Sequence, residues 1–97
     1  MRANPVRAAL RQGQTVYGIM ATEFLTPGLC QILANAGAAY VIFDMEHGGM
    51  GIDALKPQFA YARNSGVVPL VRVTGHAYHL IAPLLDAGAM GIMEMME

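Results

Sequence analysis

The sequence has little charge, little cysteine and no long apolar run. Only 13% of its 97 residues are charged and 55% are hydrophobic, whereas ordinary globular chains are roughly 25% charged. Intrinsic disorder requires the opposite balance, so this composition predicts a packed fold. The six Lys and Arg residues are scattered and the formal net charge is −1, which argues against nucleic-acid binding. No apolar run approaches the roughly 18 residues of a membrane span.

Cysteine occurs once, as Cys30. An internal disulfide is therefore impossible, and a reducing cytoplasmic location is expected. Cys30 lies on the apolar face of a predicted helix, which favours core packing over a role as a nucleophile. Arg7 and Arg11 interrupt the first residues, and this pattern is not that of a secretory signal.

Glycine divides the chain at regular intervals. Gly13, Gly37, Gly66 and Gly88 are separated by 24, 29 and 22 residues, and each stands between a helix-like stretch and an apolar run. Glycine just past a helix end supplies the left-handed conformation that ends helices. The apolar runs do not alternate with polar residues, which is typical of parallel strands covered on both faces. We therefore predict parallel strands near residues 15–19, 40–44, 68–72 and 90–94.

Polar caps and prolines indicate where the helices begin. Asn4 and Thr26 each precede a proline, which favours the first position of a helix. Asp53 is predicted to cap a third helix, and apolar spacing predicts a fourth over residues 78–85.

Alternating strands and helices at this spacing predict an α/β fold of parallel βα units. Both an open doubly wound sheet and a (β/α)8 barrel fit this pattern. Eight units of this length would require about 200 residues, at the low end for a barrel. We therefore predict that residues 1–97 form a single incomplete domain, the first half of a (β/α)8 TIM barrel.

Polar side chains are concentrated where the second and third predicted strands end. Asp44, Glu46 and His47 follow the second strand, and Arg72 ends the third. Ligands bind at the carboxyl ends of parallel strands in both candidate architectures. These residues therefore indicate a site at that edge of the sheet.

Three segments at this spacing resemble the HpcH/HpaI class II pyruvate aldolase family. They are residues 43–48 (FDMEHG), 69–73 (PLVRV) and 85–89 (LDAGA), and the resemblance extends over residues 4–93. It implies a metal-dependent (β/α)8 barrel, commonly hexameric, that acts on 4-hydroxy-2-oxo acids. The reaction would be a carbon–carbon lyase reaction, in which a pyruvate enolate and an aldehyde are released or joined.

The resemblance also implies roles for four residues. His47 matches the family's general base and Arg72 its enolate-stabilising arginine. Asp86 matches the acid that makes this histidine more basic, and Asp44 matches a second acid beside it. These residue types suit the chemistry, because a guanidinium donates to enolate oxygens and an imidazole exchanges protons near neutral pH.

The cofactor and partners are likewise implied by the resemblance. A divalent metal ion (Mg, Mn or Co) is expected, with its carboxylate ligands beyond residue 97. Glu94 and Glu97 could bind a hard cation, but no motif assigns them that role. The expected partners are a small 2-oxo acid, an aldehyde and further copies of the chain, without nucleic acid or membrane.

Three other interpretations are weaker or remain open. The chain could be a catalytically incomplete barrel that acts only by association with itself or a partner. Residues 49–54 fit a G-x-G-x-x-A dinucleotide motif, but four residues separate them from the strand end, where a tight turn is required. His76 and His79 could share a helix face and bind a transition metal, although a third ligand is missing.

Overall fold

The computed structural model describes residues 3–75 and 77–93. Within these ranges the elements are α1 (Pro5–Arg11), β1 (Gly18–Ala21), α2 (Leu29–Asn35), β2 (Tyr40–Asp44), α3 (Ile52–Ser65), β3 (Val68–Arg72), α4 (Tyr78–Ala87) and β4 (Gly91–Met93). Helices α2, α3 and α4 each connect one strand to the next. No helix in the described part of the chain is long and apolar enough to cross a membrane.

The four strands form one parallel sheet in the order β1-β2-β3-β4. Gly18 of β1 lies opposite Tyr40 of β2, and Tyr40 lies opposite Val68 of β3. At the other edge, Leu70 of β3 pairs with Gly91 of β4. The predicted parallel βα architecture is confirmed, and four consecutive units correspond to the first half of a (β/α)8 barrel.

The strand boundaries agree with the prediction in β2 and β3 and differ in β1. We predicted a strand over residues 15–19, whereas β1 is Gly18–Ala21. The reason is that β2 begins at Tyr40, so the ladder has no partner for earlier residues. Just before the ladder, the Ala39 N–H donates a hydrogen bond to the Tyr17 carbonyl oxygen, at 2.7 Å. The predicted fourth strand is present at Gly91–Met93, and residue 94 lies outside the described ranges.

One predicted helix cap is correct and two are displaced. Asn4 caps α1, and its side chain accepts a hydrogen bond from a backbone N–H of the first turn. Helix α2 does not begin after Thr26, because the intervening residues form a turn in which the Leu29 N–H donates to the Thr26 carbonyl. Asp53 lies inside the first turn of α3, which the extended backbone of Gly51 precedes. Both starts were therefore predicted a few residues from their actual positions.

The core lies between the sheet and the helices. Phe43 and Val71 from the sheet pack with Leu55 and Phe59 of α3, and all four are at most 1% exposed. The Phe43 and Phe59 rings meet edge to face with centroids 6.1 Å apart. Each such buried side chain contributes about 1.5–3 kcal/mol. Cys30 is fully buried in the same core, as its apolar helical face predicts.

On the other face of the sheet, two glycines make room for large neighbours. A Cβ atom on Gly18 would overlap the ring of Tyr40, its partner in the ladder. A Cβ atom on Gly91 would come within 2.6 Å of a methyl carbon of its partner Leu70. The side chains of Tyr40 and Leu70 therefore occupy the space above the glycines of the neighbouring strands. Large and small residues alternate in this way where side chains fill the tapered interior of a small barrel.

Candidate active site

Asp44 ends β2 and organises the turn that follows. Its Oδ1 atom accepts hydrogen bonds from the backbone N–H groups of Glu46 at 2.9 Å and His47 at 3.0 Å. An aspartate that binds the backbone two or three residues later forms a tight local turn. The side chain of Asp44 is only 2% exposed. The buried carboxylate thus fixes where the side chains of Glu46 and His47 start.

The parallel register brings Arg72 to the same place. Arg72 is the ladder partner of Asp44, and its Nη1 lies 3.4 Å from Asp44 Oδ2. The Nδ1 atom of His47 lies 3.2 Å from Asp44 Oδ2 and 3.2 Å from Arg72 Nη1. Three of the four residues predicted for the site therefore form one cluster at the carboxyl edge of the sheet. We call Asp44, His47 and Arg72 the edge cluster.

The charge of Asp44 is set by two opposing effects. Burial raises the pKa of its carboxyl group, but hydrogen bonds from His47 and Glu46 lower it by more, so the net pKa is below its ordinary value. The group is therefore ionised at neutral pH. It places a fixed negative charge beside the imidazole and the guanidinium.

The guanidinium of Arg72 contacts Asp44 through Nη1 and has further N–H donors. Its side chain is 19% exposed, and its Nε atom finds no acceptor among residues 3–75 and 77–93. A guanidinium has five N–H donors and no acceptor. Because Nε is buried, the N–H groups of the two Nη atoms that do not face Asp44 are the donors with which Arg72 can bind an oxygen anion.

Asp86 is not part of the edge cluster. It lies in the last turn of α4, and a crossover helix runs back from the carboxyl ends of the strands toward the edge where they begin. There it lines a surface cavity of about 570 Å³ together with Phe59 and Arg63. Within one chain, the carboxylate beside His47 Nδ1 is that of Asp44. The role of Asp86 remains a prediction from the resemblance.

Glu46 belongs to the site, although no motif assigns it a chemical role. Its Oε1 atom lies 3.3 Å from Nε2 of His47, so the imidazole has a carboxylate at each ring nitrogen. The contact depends on the turn in which Asp44 accepts hydrogen bonds from the backbone N–H groups two and three residues later, which brings the side chains of Glu46 and His47 together. That hydrogen-bonding pattern is visible only in three dimensions.

No metal site is formed by the described residues. Residues 3–75 and 77–93 contain no group of three or more His, Cys, Asp or Glu side chains that could hold a metal ion. His76, Glu94 and Glu97 lie outside the described ranges, so their suggested roles stay predictions. Residues 45–51 separate β2 from α3, which is longer than the tight turn of a dinucleotide site.

Comparisons with known proteins identify relatives over most of the chain. No family model matches. The chain is 35% identical over 91 residues to a hydroxypyruvate/pyruvate aldolase of Delftia acidovorans, which covers 94% of the chain and 34% of the relative.

Two solved structures are also similar. One is an HpcH/HpaI aldolase of Desulfitobacterium hafniense, with a TM-score of 0.86 and 32% identity over 90% of this chain and 34% of that one. The other is a citrate synthase, with a TM-score of 0.83 and 30% identity over 92% of this chain and 36% of that one. The chain thus spans about a third of the length of the relatives that it matches. It is related to the HpcH/HpaI aldolases, as its motifs predict, and corresponds to their N-terminal part.

Proposed function

We propose that this protein is part of an aldolase, a carbon–carbon lyase that acts on a small 2-oxo acid and an aldehyde. The observation that carries the proposal is the edge cluster, which joins an ionised acid, an imidazole and a guanidinium at the carboxyl edge of the strands. Relatives named hydroxypyruvate/pyruvate aldolase and 4-hydroxy-2-oxovalerate aldolase support the same chemistry. The activity is proposed for the barrel that contains these four units.

The proposed reaction assigns proton transfer to His47. In the direction of addition, Nε2 of His47 takes a proton from C3 of the 2-oxo acid, and the electrons of that C–H bond form the enolate. The enolate carbon then attacks the aldehyde carbonyl, and the imidazolium returns its proton to the new alkoxide. Cleavage follows the same steps in reverse.

Arg72 and Asp44 support this transfer. Arg72 would hold the carboxylate and enolate oxygens, because its planar fork can donate two parallel hydrogen bonds to them. With the 2-oxo acid bound, Asp44 would accept a hydrogen bond from the protonated Nδ1 of His47, 3.2 Å away, and stabilise the imidazolium when it forms. In this chain, Asp44 has the geometry for the effect that the resemblance assigns to Asp86.

A divalent metal ion is part of the proposal only as an expectation from the relatives. The described residues do not fit one, and its ligands are expected beyond residue 97. When bound, such an ion would polarise the oxygens of the 2-oxo acid. Every step assigned above to His47, Arg72 and Asp44 is independent of where the ion sits.

The test is enolisation of pyruvate, which needs no aldehyde. Exchange of the pyruvate methyl protons in D2O would be followed by NMR with added Mg²⁺, Mn²⁺ or Co²⁺. We expect His47→Ala to slow exchange by roughly a hundredfold, the usual scale for a general base. Arg72→Lys should be nearly as damaging, because an ammonium is a point charge without the planar fork.

Two control variants match these changes. Tyr78→Ala removes an exposed aromatic ring, and Arg11→Lys makes the same swap at an exposed arginine. Both should exchange pyruvate protons at the wild-type rate. If Arg72→Lys also kept that rate, the role of Arg72 would be wrongly assigned. If the wild-type barrel that contains these four units neither bound pyruvate nor exchanged its protons, the alternative of a barrel that acts only by association would be favoured.

We further propose that the chain associates with other copies of itself. The observation that favours this is a group of exposed apolar side chains in β1 and in the segments on either side of it, comprising Tyr17, Ile19, Met20 and Phe24. Phe24 is 81% exposed. Exposed apolar patches are typical of association surfaces.

The mass in solution tests this association. Light scattering coupled to size exclusion should show more than 10.4 kDa, the mass of one chain. Phe24→Ser should lower the mass, while Leu10→Ser, at an exposed leucine of α1, should not. A monomeric wild-type chain would contradict the proposal.

A further inference from the structure

The imidazole of His47 lies between two carboxylates and a guanidinium. Its Nδ1 atom faces Asp44 Oδ2 and Arg72 Nη1, both at 3.2 Å. Its Nε2 atom faces Glu46 Oε1 at 3.3 Å. These three groups are the charged side chains that the described residues bring against the ring. The ring itself is 60% exposed, Glu46 is 26% exposed and Asp44 is 2% exposed.

A neutral imidazole cannot satisfy all three neighbours. It has one N–H and one lone pair, whereas carboxylates only accept and a guanidinium only donates. With the proton on Nδ1, the ring donates to Asp44, but the lone pair of Nε2 then faces the oxygen of Glu46. With the proton on Nε2, the ring donates to Glu46, and Nδ1 accepts from Arg72. The two carboxylate contacts therefore exclude each other in the neutral ring.

The second arrangement satisfies more groups. Asp44 then loses the ring as a donor, but it keeps the two backbone N–H groups on Oδ1 and Arg72 Nη1 beside Oδ2. The contact with Glu46 is favourable only when Nε2 carries the proton. The proton on Nε2 thus gives Glu46 a donor, gives Nδ1 a donor from Arg72 and leaves Asp44 with its other bonds.

We infer that Glu46 holds the proton of neutral His47 on Nε2. This nitrogen then cannot accept a substrate proton until a ligand displaces the Glu46 side chain, and we call this state the closed base. Glu46 is a positioning residue here, since it acts through His47. That Nε2 is the nitrogen that takes the substrate proton rests on the proposed function, whereas the position of the proton does not.

The expected opening follows from charge. A 2-oxo acid carries a carboxylate, which Arg72 attracts and Glu46 repels. As Glu46 turns away, water carries the proton from Nε2 to Nδ1, and the Nδ1–H group then donates a hydrogen bond to Asp44. The number of protons on the ring is unchanged, and the lone pair of Nε2 becomes available. The partial exposure of Glu46 leaves its side chain room to move.

The direct test is the tautomer of His47 in the unliganded chain. Long-range ¹⁵N–¹H correlation spectra would be recorded at about pH 9, where an ordinary imidazole is neutral. His47→Asn assigns the signals among the three histidines of the chain. We expect the wild-type ring to carry its proton on Nε2. In Glu46→Gln the side-chain amide can donate to Nε2, so the proton should move to Nδ1.

Two further variants guard this result. Glu46→Asp keeps the charge but shortens the side chain, and it should also lose the preference for Nε2. Glu23→Gln removes one exposed acid from a loop outside the cluster and should leave the tautomer unchanged. A wild-type ring with its proton on Nδ1, or an unchanged tautomer in both Glu46 variants, would overturn the inference.

Proton exchange of pyruvate separates this inference from the proposed function. If Glu46 closes the base, Glu46→Gln should lower the pyruvate concentration that gives half-maximal exchange. The decrease is about tenfold if the open form makes up about a tenth of the wild-type population. Exchange with an unaltered tautomer would refute the role of Glu46 and leave the aldolase proposal standing. A shifted tautomer without any exchange would do the reverse.

Discussion

Replacement of Asp44 by asparagine is the sharpest test of the edge cluster as a structural unit. The amide has the shape of the carboxylate, so Oδ1 can keep its two bonds from backbone N–H groups. The other position changes from an acceptor to a donor, which then faces Nη1 of Arg72 at 3.4 Å. Arg72 would lose its partner while it is largely buried.

The size of the effect follows from what is lost. A hydrogen bond to a charged group contributes about 1.5–3 kcal/mol. Arg72 is 19% exposed, so water replaces only part of the missing acceptor. The contact with His47 is more exposed and adds little. We therefore expect Asp44→Asn to lower the free energy of unfolding by about 2 kcal/mol at neutral pH.

The pH dependence gives the same prediction a second observable. The pKa of Asp44 is lowered in the folded chain, so its carboxylate stabilises the fold above its ordinary pKa of about 3.9. This stabilisation is lost as the pH falls through the lower, folded pKa. The difference in stability between the wild type and Asp44→Asn should therefore shrink below about pH 4.

Urea denaturation followed by circular dichroism, at one protein concentration and from about pH 7 to about pH 2, measures both effects. The control is Asp53→Asn, at an exposed aspartate in the first turn of α3. It should lower the free energy of unfolding by less than about 1 kcal/mol, which is the usual contribution of a charge at a helix end. Our reasoning is refuted if Asp44→Asn matches the wild type within about 0.5 kcal/mol, or if the gap stays constant in acid.

Two further predictions concern the packing of the fold. Cys30 is fully buried, and burial raises the pKa of its thiol. A reagent that modifies cysteine thiolates should therefore react with Cys30 slowly in the native chain and rapidly in urea. Fast labelling without denaturant would contradict the structure. Gly66 and Gly88 both have positive φ, but only Gly88 would bring a Cβ atom close to another residue, 3.2 Å from Cβ of Phe59. Gly66→Ala should lower the free energy of unfolding by about 1–2 kcal/mol through chain conformation. Gly88→Ala should lower it further in urea denaturation, because its φ is +126° and the new Cβ atom would press on Phe59; equal losses would contradict this.

The parallel units were predictable because their signals are local. All four glycines that divide the chain adopt positive φ, and β2 and β3 coincide with the predicted apolar runs. The start of β1 was not predictable from its own residues, because Tyr40 on the neighbouring strand determines where the ladder begins. The Thr-Pro signal placed the start of α2 too early, since the same two residues also favour a turn.

For the site, topology was a better guide than side-chain detail. Asp44 and Arg72 follow neighbouring parallel strands, so their proximity could be expected from strand order alone. The contact of Glu46 with Nε2 of His47 depends on the turn after β2, so it could not be expected from strand order. The same topology places Asp86 at the opposite edge, because it ends a crossover helix. The resemblance alone had placed it beside His47.

The order of the strands has a consequence for how this chain folds. Every strand of the described sheet pairs with the strand that comes next in the sequence, so none of these pairings has to wait for a strand that is made much later. The sheet can therefore grow one unit at a time while the chain leaves the ribosome, in the direction of synthesis. At each stage the newest strand offers the free edge on which the next one docks.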